Sequence, residues 1–108
     1  MFQITDPQGK RITLTVDCWE NHICISHTEM RSRLAEIRET IADPDFIYTS
    51  KSSNQTHLYF REYVDPRLKC QYILVAVQRR ANQTRGFVQS AYPVKGLSKG
   101  GVLEWKKR

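Results

Sequence analysis

A chain of 108 residues has room for one domain and too little for two, so residues 1–108 are read as a single unit. Its 40% hydrophobic and 26% charged content is that of a globular domain. No apolar run reaches the roughly 18 residues of a membrane span, and the start Met-Phe-Gln-Ile-Thr-Asp lacks the pattern of a signal peptide.

The net charge of +6 is unevenly spread: residues 1–54 carry 6 Lys/Arg against 8 Asp/Glu, residues 55–108 carry 11 against 3. A basic second half fits a polyanionic partner, nucleic acid being the commonest. Cys18, Cys24 and Cys70 are odd in number and lack CxxC spacing, which points to reduced thiols in a cytoplasmic protein.

In chain order, "FQIT" and "RITLTV" flank Asp6-Pro7-Gln8-Gly9, a turn with Pro and Gly at suitable positions, so residues 1–16 read as a β-hairpin. Residues 18–25 suit a short helical turn. Ser26-His27-Thr28-Glu29 then matches a capping box, in which Ser hydroxyl and Glu carboxylate satisfy each other's backbone donors. Met30, Leu34, Ile37 and Ile41 fall at helical spacing, so one helix is predicted over about 27–41, ending before Pro44.

Four strands are expected next, in "DFIYT", "HLYFREYV", "QYILVAV" and "GFVQSAYPV". The second alternates, with Tyr59, Arg61 and Tyr63 on one face; the third is apolar throughout, as a strand covered on both sides should be. In the fourth, Val88, Ser90 and Tyr92 share a face. The prediction is an α+β domain in which an antiparallel sheet wraps one helix, with a core of about 15–95 and a basic C-terminal segment at 96–108.

Chemistry concentrates in "WENHICISHTEM". His22 and His27 are five apart, which on one α-helix separates them by about 140°. They share a site only if the chain bends between them, and Ser26 as a cap predicts such a bend. The plainer alternative packs His22 beside Trp19 and leaves His27 solvated. Glu29 has a capping task, and the helix N-terminus also favours its ionised form. The Tyr59-x-Arg61-x-Tyr63 stripe, on an open face, supplies a phosphate donor between two stacking rings. Metal binding by His22, His27 and Glu29 is disfavoured by the absence of paired cysteines and of an H-x3-H spacing. No base and orienting carboxylate mark a serine or cysteine nucleophile.

Trp19-x-x-His22-Ile23-x-x-x-His27-x-Glu29-Met30, the helix end from Ile37 to Ile47, Tyr59-x-Arg61, "YILVAV" and the closing Gly86-x-Val88-x-Ser90-Ala91-Tyr92-Pro93 belong to one pattern. Together they resemble the phage-type branch of the barnase–EndoU–colicin–RelE (BECR) nuclease superfamily, over roughly residues 15–95. The resemblance implies N-terminal helices packed on a four-stranded antiparallel sheet, and a metal-independent ribonuclease that needs no cofactor. It also implies a toxin-like role in conflict systems, with a neutralising protein partner. By the same resemblance the site holds His22, His27, Glu29, Arg61, Ser90 and Tyr92. Thr28 stands where the family usually has proline, and Ser90 where it has threonine.

The resulting expectation is cleavage of RNA by attack of its 2′-hydroxyl. His27 or Glu29 is the base, His22 the acid, and Arg61 the phosphate clamp, helped by Ser90 or Tyr92. Tyr59, Tyr63, Arg79, Arg80 and Lys95 are expected to contact RNA. The alternative is a non-catalytic RNA-binding or protein-binding module that uses the basic half and the tyrosines without needing His22 or Glu29.

Overall fold

The expected hairpin forms as β1 (Phe2–Thr5) and β2 (Arg11–Leu14), antiparallel, with Ile4 opposite Ile12. The structure, a computed structural model, describes residues 1–64, 71–80, 82–97 and 99–108. The polar stretch 65–69 between the second and third expected strands and the thiol of Cys70 lie outside the described residues. Asp6 organises the hairpin turn by accepting the backbone N–H groups of Gln8 and Lys10. Gly9 closes it at φ 81°, a conformation that side chains resist.

The helical region departs from expectation. It comprises α1 (Val16–Cys18), a π-helical turn (Trp19–Ile23), α2 (Cys24–Ser26), a 3₁₀ turn (Thr28–Met30) and α3 (Leu34–Ala42). The single helix over 27–41 is therefore split. The capping box is not made: Ser26 ends α2, and neither the 3₁₀ turn nor α3 has a side-chain cap. Tight bonds from Met30 N–H to His27 O and from Arg33 N–H to Met30 O replace it, and Arg31 Nε donates back to Cys24 O at 2.9 Å.

Energetics account for the exchange. A cap contributes about 1 kcal/mol, whereas full burial of a methionine contributes about 1.5–3 kcal/mol. The turn sets Met30 wholly inside the core. The apolar stripe itself is as predicted, with Ile37 and Ile41 buried and Leu34 packed against them.

The four expected strands form as β3 (Phe46–Ser50), β4 (Thr56–Glu62), β5 (Tyr72–Arg79) and β6 (Arg85–Val94), antiparallel neighbours throughout. They are only part of the sheet. The segment taken as a basic tail supplies β7 (Gly100–Lys106), antiparallel to β3, and β2 joins β6 in parallel. The sheet is thus seven-stranded and mixed, in the order β1-β2-β6-β5-β4-β3-β7. A four-stranded sheet would leave β6 and β3 with rows of unpaired backbone groups, which the added strands cover. Gly86 suits the close approach of β2, β5 and β6: a Cβ there would lie 3.0 Å from both Ile12 Cδ1 and Val77 Cγ1, tighter than an ordinary contact.

Both faces of β5 are buried, as its sequence implies. Ile73, Val75 and Val77 join Ile12, Leu14, Ile37, Ile41, Ile47 and Tyr59 on the inner, helix-covered side. Leu74 and Ala76 pack with Leu58 and Phe60 on the outer side, under Phe46, Tyr72, Tyr92 and Leu97. The β5–β6 register carries a bulge: Val77 opposes Val88, but Ala76 opposes Ser90, so Gln89 is extra. Phe87, Ser90, Tyr92 and Val94 oppose Gln78, Ala76, Leu74 and Tyr72 and share the outer face, while Val88 and Ala91 point inward. The simple alternation expected for β6 is therefore broken at its middle.

Candidate functional site

Two local features bring the histidines together. The π-helical turn closes with an i→i+5 bond from Cys24 N–H to Trp19 O, winding more widely than an α-helix. At His27 the backbone then leaves helical geometry, with φ −132° and ψ 73°. The imidazoles of His22 and His27 end with centroids 6.4 Å apart and planes at 84°. The convergence that a Ser26 cap was expected to produce comes instead from the π turn and the break at His27. Trp19 and Ile23, on either side of His22, anchor the turn in the core.

This segment lies along the part of β6 that β2 leaves uncovered, since β2 pairs only with Arg85, Gly86 and Phe87. Cys18 Sγ donates to the carbonyls of Val88 (3.2 Å) and Gln89 (3.6 Å) at the bulge. Burial, reinforced by Asp17, pushes the Cys18 thiol above its ordinary pKa, in keeping with a structural thiol rather than a nucleophile. From this seat His27 stacks on Tyr92, with ring centroids 4.7 Å apart and planes at 23°.

Further groups complete the cluster. Glu29 Oε1 lies 3.9 Å from His27 Nδ1. Lys99 Nζ donates to Tyr92 OH at 2.8 Å and stands 4.5 Å from the ring centroid. Ser90 Oγ is buried and has no hydrogen-bond partner among the described residues. A groove of about 390 Å³ opens from Tyr92 and Lys99 across Leu58 and Ala76 to Ser50, Lys51, Ser52 and Thr56. Two imidazoles, a carboxylate, a phenol and an ammonium thus meet at the rim of a hydroxyl-lined groove. That set can transfer protons at two points and stabilise negative charge between them. Among the described residues, no three His, Cys, Asp or Glu side chains gather at metal-ligand spacing, His22, His27 and Glu29 included.

Other predicted residues lie elsewhere. Arg61 is on the inner face, its register partner Ile73 being in the main core, and it binds Glu39 at 2.6 Å and Asp43 at 2.8 Å. The sheet separates it from Tyr92, so it is not brought to the histidines. Tyr59, Arg61 and Tyr63 do share a face, but α3 covers it. Tyr59 is 0% exposed and donates its hydroxyl to Asp6 Oδ2. Burial, then Asp6, pushes that phenol far above its ordinary pKa. Tyr63 is half-buried under Arg61, and its hydroxyl donates to Glu36 O at 3.4 Å. Burial, then Glu39, raises its pKa to about 12.

Arg79 is buried too, with one nitrogen donating to Glu104 at 2.6 Å and to Gln8 at 2.8 Å. Tyr59 and Arg79 are therefore structural, and neither is available to RNA. Arg80 and Lys95 are exposed. Lys99 and Lys51, which line the groove, were not singled out from the sequence: Lys99 sits in what read as a tail and Lys51 in a polar loop, and neither position shows any periodic signal. No protein-family profile, no curated protein and no solved structure matches the chain.

Proposed function

We propose that the protein is an endoribonuclease that cleaves RNA by metal-independent transphosphorylation, using His22, His27, Glu29, Ser90, Tyr92 and Lys99. One observation carries the reading: His27 is stacked on Tyr92 with His22 6.4 Å away and Lys99 on the phenol oxygen. The gap between the imidazoles suits a phosphodiester held between a base and an acid. His27 takes the 2′-hydroxyl proton, and Glu29 beside it favours the imidazolium that results. His22 returns a proton to the leaving 5′-oxygen. Lys99, with the Ser90 and Tyr92 hydroxyls, faces the charge that builds on the non-bridging oxygens.

In this reading the domain is a variant of the BECR nuclease fold, its sheet extended by the hairpin at one edge and by β7 at the other. A toxin-like role in the cytoplasm with a neutralising protein partner belongs to the same proposal. Cleavage of a mixed RNA pool by wild type and by the His22→Ala and His27→Ala variants tests it. Each variant is expected to lose ~10²–10⁴-fold in rate. A pool lacking 2′-hydroxyls stays intact, and chelation of divalent ions leaves the rate unchanged. Equal binding of RNA by all three proteins with no cleavage by any would establish the non-catalytic binding module instead.

A further inference from the structure

The outer face of the sheet carries a second group of residues that the cleavage chemistry does not use. Phe87 keeps 54% of its surface in solvent. It borders two adjoining concavities, one of about 240 Å³ lined by Gln78, Arg79, Arg80, Gln83 and Arg85, the other about 490 Å³ along residues 82–85. Arg85 lies two residues before Phe87 on the same strand, and Arg11 stands directly across from Arg85 on β2, so all three point outward. Lys10 Nζ donates to Gln83 O at 3.1 Å and holds a fourth cation at the same rim.

Among the described residues, no carboxylate lines either concavity. Arg11, Arg80 and Arg85 form no ion pair with any described residue, whereas Arg61, Arg79 and Lys107 are each paired with carboxylates. Positive charge with an open ring at its centre is thus left, among the described residues, without a paired carboxylate on one face. Amides surround the ring, Gln89 Nε2 donating to Gln78 Oε1 at 2.7 Å.

We infer that Phe87 is a base-stacking platform for single-stranded RNA, flanked by Arg11, Arg80 and Arg85 as phosphate contacts. The inference rests on the ribonuclease reading and adds the path of its substrate. The Gln89 bulge is what places Phe87 and Tyr92 on one face, on the order of 15 Å apart along β6. An RNA strand seated at His22 and His27 that continues along β6 reaches Phe87 within a few nucleotides. An aromatic ring stacks any base, and unpaired arginines release counterions from the backbone, so the platform adds affinity without reading sequence.

The test is fluorescence anisotropy of a labelled 2′-O-methyl decanucleotide, which cannot be cut, with the full chain over a range of salt concentrations. Phe87→Ala is expected to weaken binding about tenfold without changing the salt slope, and Phe87→Tyr to restore it. Arg80→Gln and Arg85→Gln should each lower the slope by about 0.7, one phosphate contact apiece. All three positions are exposed, so the variants fold. Cleavage of the unmodified decanucleotide is followed in parallel. A parent that cuts RNA while the Ala and Gln variants bind as it does overturns the platform and leaves the ribonuclease reading in place. Phe87-dependent binding without cleavage supports the platform and overturns that reading. A parent that binds no RNA overturns both.

Discussion

Lys99 and Arg61 are both cations beside an aromatic ring, and their surroundings assign them different work. Lys99 bonds the Tyr92 hydroxyl at the groove, while Arg61 bridges α3 and β4 through Glu39 and Asp43. Lys99→Met is therefore expected to lower single-turnover cleavage ~10²-fold or more, the usual loss when one preorganised donor to a transition-state oxyanion is removed. Arg61→Met should leave cleavage within a few-fold and lower stability by at most about 1 kcal/mol, because its carboxylate partners are half-exposed. Tyr59 makes the opposite point. Tyr59→Phe leaves a buried Asp6 oxygen without its donor, at about 1–3 kcal/mol by urea denaturation, and leaves RNA affinity unchanged. That Tyr59, Arg61 and Tyr63 share one strand face was legible in the sequence, whereas nothing in it marked Lys99. Which face α3 covers was not legible, since a Tyr-x-Arg-x-Tyr stripe alternates identically on either side.

Two local irregularities build the candidate site at the level of elements. The π-helical turn and the break at His27 bring the imidazoles together, and the β6 bulge turns Ser90 and Tyr92 to the outer face, where His27 stacks on Tyr92. Removing the bulge tests this. Deletion of Gln89 removes the extra residue and restores strict alternation, which keeps Val88 and Ala91 inward and Ser90 and Tyr92 outward if the N-terminal half of β6 keeps its register. Cleavage should then persist within a few-fold, because the faces of Ser90, Ala91 and Tyr92 are unchanged. Loss of activity in the deletion variant would show that the bulged backbone itself, whose Val88 and Gln89 carbonyls accept from Cys18, positions the site. Neither irregularity was legible, because periodicity reports the average winding of a segment and is blind to one extra residue. "GFVQSAYPV" alternates without a fault, and "WENHICIS" gives no sign of wider winding. The existence, order and approximate bounds of β1 to β6 were legible, as was the stripe of α3.

At the scale of the molecule, the sheet curls until its first turn and its last strand meet. Gln8 from the hairpin and Glu104 from β7 bind the same Arg79 nitrogen, and Asp6 from that turn accepts from Tyr59. Glu104 also bonds His57 and accepts from Thr49 at 2.6 Å. Burial opposes its ionisation, but His57, Thr49 and Arg79 outweigh that and hold its pKa at about 2 against an ordinary 4.5. A depressed carboxylate contributes stability that is whole above its unfolded value and declines as the folded value is approached. The melting temperature should therefore fall as pH drops from about 4.5 toward about 2. Glu104→Gln should melt lower at neutral pH and show a flatter profile across that window, as followed by circular dichroism.

The sequence by itself determined what lies within reach of local rules. Hairpin and strands follow from turn chemistry and period-2 patterning, the α3 stripe from its 3.6-residue spacing, and the central strand from its apolar run. It also marked His22, His27, Glu29, Ser90 and Tyr92, five of the six residues of the candidate site. Only the tertiary structure decided that β7 closes the sheet, that Lys99 rather than Arg61 lies against Tyr92, and that Phe87 shares the strand face of Tyr92. Those outcomes depend on which strand edges need partners, which sheet face a helix covers and where a bulge shifts the register. All three are settled by packing between segments far apart in the chain, where local pattern carries no information.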